Sequence, residues 1–197
     1  MCRRPEGNAV DHVVESNETV GMGQVRFREA TADDAALLAA VHVRTVVFAY
    51  AGLFPSDAPP PTEESLGRDW HRAFADPSFR SFLAEDRSGA LGGVAVRADP
   101  VLVGCGELYR LHVLPEHWGS GLGAALHDVA RAMLRRRFSQ AGLWVLAGNG
   151  RARRFYEGRG WALVEGQTRR AQGVVEVRYQ RALRQMPGNK ATSSSSM

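Results

Sequence analysis

The stretch Leu111-His112-Val113-Leu114-Pro115-Glu116-His117-Trp118-Gly119-Ser120-Gly121-Leu122-Gly123-Ala124-Ala125-Leu126 constrains this chain more than any other. It reads as a strand, a short turn with glycines at alternate positions, and the opening of a helix. Such a turn leaves backbone N–H groups without partners at a helix N-terminus, where they can bind a phosphate. Glycine matters there because a side chain would hold the anion away from the backbone.

The flanking sequence predicts what surrounds this unit. Val25 to Glu29 alternates as a short strand, and Thr31 with Asp34 reads as a helix cap. Leu37, Leu38, Val41, Thr45 and Phe48 then recur at helical spacing towards Tyr50. Pro55 and Pro59 to Pro61 impose an extended loop, and a second helix is expected over Thr62–Ala75. Phe79–Glu85 and Leu91–Arg97 read as strands joined by the hairpin signal Asp86-Arg87-Ser88-Gly89. Glu107–Val113 is a further strand. The helix after the glycines carries a stripe of Leu122, Leu126, Val129 and Met133, widened by Ala125, Ala130 and Leu134. The apolar run Ala141–Ala147 reads as a buried parallel strand, followed by a short helix over Asn149–Arg159 and strands at Trp161–Glu165 and Val174–Tyr179. The fold class expected is α/β (α+β): a mixed, mostly antiparallel sheet of six to seven strands, with a central parallel β-α-β crossover and flanking helices. One domain should cover 25–182, between a flexible N-terminal extension (1–24) and a disordered, serine-rich C-terminal tail (183–197).

Composition narrows the function. The hydrophobic fraction is 44% and the charged fraction 23%, ordinary for a soluble domain. No apolar run would span a bilayer and no signal peptide is evident, so a cytoplasmic protein without membrane partners is expected. Cys2 and Cys105 show no metal-ligand spacing; no metal is expected, and Cys105 reads as a small half-buried residue. The net charge is +4 and Lys190 is the only lysine. Arginines cluster at Arg135 to Arg137 and at Arg151, Arg153 and Arg154, as solvated helix ends or as attraction for a polyanionic ligand. A nucleic-acid surface lacks interleaved aromatics or a known motif, so no nucleic-acid partner is expected.

The spacing Gly119, Gly121, Gly123 does not fit the dinucleotide fingerprint, and no acidic residue stands near Leu143 to bind a ribose. No Gly-Lys-Ser/Thr follows, which excludes a nucleoside-triphosphate loop. The preceding strand, Pro115 at its end, the amphipathic helix, the buried strand and the second short helix together resemble the GNAT superfamily of N-acetyltransferases. Glu107 to Leu134 is similar to the family's coenzyme-binding motif and Leu143 to Gly160 to its partner motif. Weaker similarity covers Val25 to Tyr50. One departure is Trp118, where the family often has Gln or Arg; it would pack on the helix or cover the coenzyme.

The resemblance implies an acetyl-coenzyme A-dependent N-acetyltransferase, acting by direct transfer in a ternary complex on a primary amine of a small molecule or peptide. A homodimer is possible. The coenzyme would be held by the backbone of Leu111, His112 and Val113 and by the loop Trp118, Gly119, Ser120, Gly121, Leu122, Gly123 and Ala124. Asn149 and Arg153 would assist, with Asn149 on the pantetheine arm. Asn149 and Tyr156 share a helix face, and the resemblance puts Tyr156 near the sulfur, where its protonated hydroxyl suits the departing thiolate. Glu107 is the first candidate for deprotonating the amine. Regular alternation would put it on the side of Tyr109 and Leu111, with His112, a second candidate, opposite. A surface carboxylate or a partner for Arg110 is an equal reading of Glu107, and a water chain could serve instead. Tyr50, Phe54, Trp70 and Glu63-Glu64 could line the acceptor site. The alternative functions are a non-catalytic coenzyme A-binding module and a basic nucleic-acid-binding protein.

Overall fold

A computed structural model describes residues 25–54, 59–171 and 173–183. The expected extension over 1–24, Pro55 and the tail from 184 onward lie outside the described residues.

Seven strands form one sheet in the order β1-β2-β3-β4-β5-β7-β6. They are β1 (Arg26–Glu29), β2 (Arg80–Asp86), β3 (Gly89–Ala98), β4 (Gly106–Val113), β5 (Gln140–Leu146), β6 (Ala162–Ala171) and β7 (Val174–Ala182). Helices α1 (Ala35–Ala49) and α2 (Glu63–Phe74) pack their Leu38, Ala39, Leu66 and Trp70 on one face, over Leu83 and Ala95. On the other, α3 (Leu122–Arg135) and α4 (Gly150–Glu157) enclose Val94, Leu108, Val113 and Tyr156 with Trp161. Among the described residues, no helix is long and apolar enough to cross a membrane.

Local chemistry explains the starts of the first two helices. The Asp34 carboxylate accepts the Thr31 backbone N–H at 2.9 Å, tightening a 3-10 turn that leads into α1. Arg28 grips both Asp34 oxygens at 2.7 and 2.8 Å and pushes that carboxyl down to about 2. Thr62 caps α2 by accepting from Ser65 N at 3.1 Å. Close packing needs a missing side chain at Gly93, where a Cβ would lie 2.5 Å from Leu38 of α1.

Three expectations change. The buried stripe of α3 is Leu122, Leu126, Ala130 and Leu134, with His127 also fully buried. Val129 and Met133 flank it, because the helix centres its contact one position round from the predicted line. The apolar run of β5 is only briefly parallel. It pairs with β4 at Gly106↔Ala141 and Glu107↔Gly142, and antiparallel with β7 over its whole length. Strand β6 reaches Ala171, well beyond Glu165. As an edge strand with an almost wholly exposed surface, it carries no apolar alternation to read.

The sheet therefore opens between β4 and β5 after two residue pairs. A buried ion pair spans the two parts: Arg178 of β7 meets Asp99 just after β3, and Gly142 supplies the space against the Arg178 guanidinium.

Candidate active site

Strand β4 carries a bulge that decides what faces the opening. Arg110 pairs with Ala95 and Leu108 with Val96, so Tyr109 is an extra residue. Alternation fails there. Tyr109 and Arg110 both project towards α1 and α2, where Tyr109 packs in the α1–α2 core and Arg110 lies over the Trp70 ring at 4.3 Å. Leu111 packs on the α3 side and His112 stacks on His42 of α1 at 3.8 Å. The predicted sides are thereby corrected: Leu111 is opposite Glu107, and His112 is on its side. Glu107 is buried, at 2% exposure, and is neither a surface carboxylate nor the partner of Arg110. Its Oε2 accepts from Arg97 Nε at 2.7 Å across the β3–β4 ladder, and Arg97 in turn stacks on Tyr109 at 3.7 Å.

The glycine turn follows a 3-10 turn at Pro115–His117. Gly119 and Gly121 have φ of 85° and 93°, a left-handed conformation that favours glycine, and nothing lies within 4 Å of a Cβ at either. Ser120 N reaches His117 O and Leu122 N reaches the Ser120 hydroxyl. The N–H groups of Gly119, Gly121, Gly123 and Ala124 have no partner among the described residues. Four donors at the head of an amphipathic helix form an anion cradle. Beyond Glu107, the β5-facing edge of β4 is also without a strand partner. These orphaned backbone groups fit a long ligand with a phosphate-bearing end and an amide-bearing arm.

Trp118 is half-buried against the α3 core, and its Nε1–H donates to Val113 O at 2.7 Å. The indole is thus folded onto the strand beneath the turn. Arg151 of α4 stacks over it at 4.0 Å. That places a cation next to the cradle, which sequence reasoning saw only as one of an arginine cluster. Arg153 goes elsewhere: its Nε donates to Tyr179 Oη at 3.0 Å and its Nη1 to Ala147 O at 3.2 Å. Asn149 caps α4 by accepting from Ala152 N at 3.0 Å, leaving its amide N–H group as a donor.

Tyr156 is buried at 8% exposure, and its hydroxyl makes no hydrogen bond to a described residue. Burial pushes its pKa up, with the Tyr50 hydroxyl adding to the rise. Tyr50, at the end of α1, is pushed up to about 12, chiefly by burial. One tyrosine therefore comes from each face of the sheet. Of the other expected acceptor residues, Phe54 meets Tyr50 ring to ring at 5.7 Å. Trp70 is wholly buried, whereas Glu63 and Glu64 face solvent and Glu64 pairs with Arg68. Leu53 leans on Gly148 at a groove of about 290 Å³ whose far wall is Gly173 to Val175. Among the described residues, no group of three His, Cys, Asp or Glu is placed to hold a metal ion.

Comparison with known proteins bears on the fold and the family. The acetyltransferase (GNAT) family profile matches residues 47–161. A curated relative, an uncharacterized N-acetyltransferase of Archaeoglobus fulgidus, is 50% identical over 52 residues, covering 26% of this chain and 35% of its own length. The chain thus matches about a third of that relative. Among solved structures, an acetyltransferase from Thermus thermophilus superposes with a TM-score of 0.63 at 24% identity, over 80% of this chain and 96% of that one. The PaiA N-acetyltransferase of Thermoplasma acidophilum, in complex with coenzyme A, gives 0.60 at 17%, over 79% and 98%. The chain belongs to the GNAT family of acetyltransferases.

Proposed function

We propose that this protein transfers an acetyl group from acetyl-coenzyme A to a primary amine of a small molecule or peptide, within one ternary complex. The observation that carries this is the anion cradle of four free N–H groups, placed beside a strand edge that β5 leaves unpaired, with Tyr156 buried nearby. When bound, acetyl-coenzyme A supplies an activated thioester. Gly119, Gly121, Gly123 and Ala124 bind its pyrophosphate, with Trp118, Ser120 and Leu122 shaping the turn and Arg151 adding charge. The β4 backbone from Leu111 through His112 to Val113 aligns the pantetheine arm, and a strand N–H polarises the thioester carbonyl. The Asn149 amide donates to the arm. Arg153 supports the site indirectly, by fastening α4 to β7.

Two proton movements remain. One proton leaves the amine, and one proton or hydrogen bond must reach the departing sulfur. For the first, Glu107 acts through an intervening water: Arg97 orients the carboxylate by one oxygen, and the other makes no hydrogen bond to a described residue. His112 is a poor base, because burial and the neighbouring His42 and Arg110 push its pKa well below the ordinary range. For the second, Tyr156 donates a hydrogen bond. A thiol titrates near 8.5, below even an unperturbed phenol; with the phenol raised further, Tyr156 keeps its proton while stabilising the thiolate.

Calorimetry with acetyl-coenzyme A, followed by a thiol-release screen over small amines, amino acids and peptides, tests this. Saturable binding and acetylation of at least one amine are expected. Absence of binding overturns the proposal, and binding without transfer to any amine reduces the protein to a coenzyme A-binding module.

A further inference from the structure

Between α1, α2 and the bulge of β4 lies a cluster of polar side chains that neither coenzyme binding nor proton transfer uses. Arg110 Nη1, His42 Nδ1 and Trp70 Nε1 are each enclosed, and none has a hydrogen-bond partner among the described residues. The three belong to one contact group: the Arg110 guanidinium lies 4.3 Å from the Trp70 ring centre, and His42 meets Trp70 edge-on at 6.3 Å. Enclosed polar atoms are ordinarily paired, and an enclosed guanidinium needs an anion. Among the described residues, no acidic side chain serves. Asp69 acts on Arg110 through space, but its carboxylate is tied to Arg72, and Glu107 is tied to Arg97. Arg110 Nη2 makes only a long contact of 3.3 Å with the Tyr109 hydroxyl.

We propose that Arg110, with His42 and Trp70, binds a carboxylate carried by the acceptor, so that the amine acetylated is that of an amino acid or a similarly small amino-carboxylate. The inference rests on the acetyltransferase reading above. It follows from charge and position. The planar fork of arginine suits the two oxygens of a carboxylate. His42 and His112 are kept neutral, so the cluster offers one positive charge, which a carboxylate balances and a doubly charged phosphate would exceed. Arg110 is next to Leu111, at the strand edge where the thioester is held, so carboxylate and amine must be only a few bonds apart. The planar guanidinium lies 4.3 Å from the Trp70 ring centre and 4.6 Å from that of Tyr109, contacts that restrict its direction.

The test uses the full chain, acetyl-coenzyme A, and the twenty amino acids, each against its own carboxamide. The carboxamide keeps the amine and side chain and removes the charge. For the best substrate, kcat/KM should favour the free acid by about 100-fold or more. R110Q should bring that ratio close to one, mainly through KM, while R110K, which keeps the charge without the fork, should fall between. Coenzyme A affinity, measured by calorimetry in each variant, should stay within about threefold of wild type, which also establishes that the variants are folded. The wild-type acid-to-amide comparison needs no variant. A ratio near one, a ratio unchanged in R110Q, or no transfer to any free amino acid while the coenzyme binds each overturns the carboxylate site. Failure to bind acetyl-coenzyme A at all instead overturns the acetyltransferase reading beneath it.

Discussion

The glycines of the turn have different reasons to be there. Gly119 and Gly121 hold left-handed backbone, whereas Gly123 has neither positive φ nor crowding: a Cβ there would meet Phe155 at 3.7 Å, an ordinary contact. Gly121→Ala should therefore cost about 1–2 kcal/mol of stability. Gly123→Ala should gain up to about 1 kcal/mol as a helix residue while weakening coenzyme A binding, because its methyl group crowds the cradle. Thermal melts and calorimetry on the two variants check this; equal effects of both would refute the distinction. Tyr156→Phe removes only the hydroxyl. It should lower kcat by roughly 100-fold and leave the affinity for acetyl-coenzyme A within about twofold. Equal rates would show that the buried phenol only fills space. These positions were legible because glycine spacing and helix phase are local properties. Arg110 and His42 were not, although one signal stood in plain view: an arginine between Leu108 and Leu111 in the middle of a strand. Only the fold shows that, among the described residues, no carboxylate hydrogen-bonds to it.

Strands and helices were read well where periodicity is strong and less well where pairing decides. The bulge at Tyr109 leaves no mark in the sequence, yet it turns two successive side chains to the same face and moves Leu111 away from Glu107. The apolar run of β5 looks parallel because it is buried on both faces; antiparallel β7 produces the same composition. In α4, Asn149 joins element and site, since it caps the helix with its oxygen and offers its amide N–H to the ligand. Asn149→Ala should cost about 1 kcal/mol by loss of the cap. Asn149→Asp should retain the cap, and hence the melting temperature, while weakening coenzyme A binding through loss of the donor. If both variants bind the coenzyme as wild type does, Asn149 is only a cap.

Across the molecule, buried histidines make stability depend on pH. Burial depresses His42 to about 3 and His127 to about 4, from an ordinary 6.5, and His127 accepts a hydrogen bond from Trp161 Nε1 at 3.0 Å. Both are neutral in the folded chain, whereas the unfolded chain takes up protons below about 6.5. The stability they contribute is full above that value and is lost as pH falls towards 4 and 3. The Asp34 carboxyl, lowered from 3.8 to about 2, begins to lose its contribution only as pH falls below about 3.8. Unfolding free energies from denaturant titrations at about pH 7.5 and about pH 5 should differ by roughly 4 kcal/mol, about 2 from each histidine, with the acidic sample weaker. Equal free energies would refute neutral burial.

The opening of the sheet after Gly106 and Glu107 has a mechanical consequence. Strands β1 to β4 and the trio β5, β7, β6 share two ladder pairs and the Arg178–Asp99 clasp, so the protein resembles two leaves on a short spine. An extended ligand arm lying along β4 becomes, in hydrogen-bonding terms, a borrowed strand. Loading should slow amide hydrogen exchange in both leaves at once, and departure of the spent carrier should loosen them together. Catalysis would then begin with completion of the sheet by a molecule that is not protein.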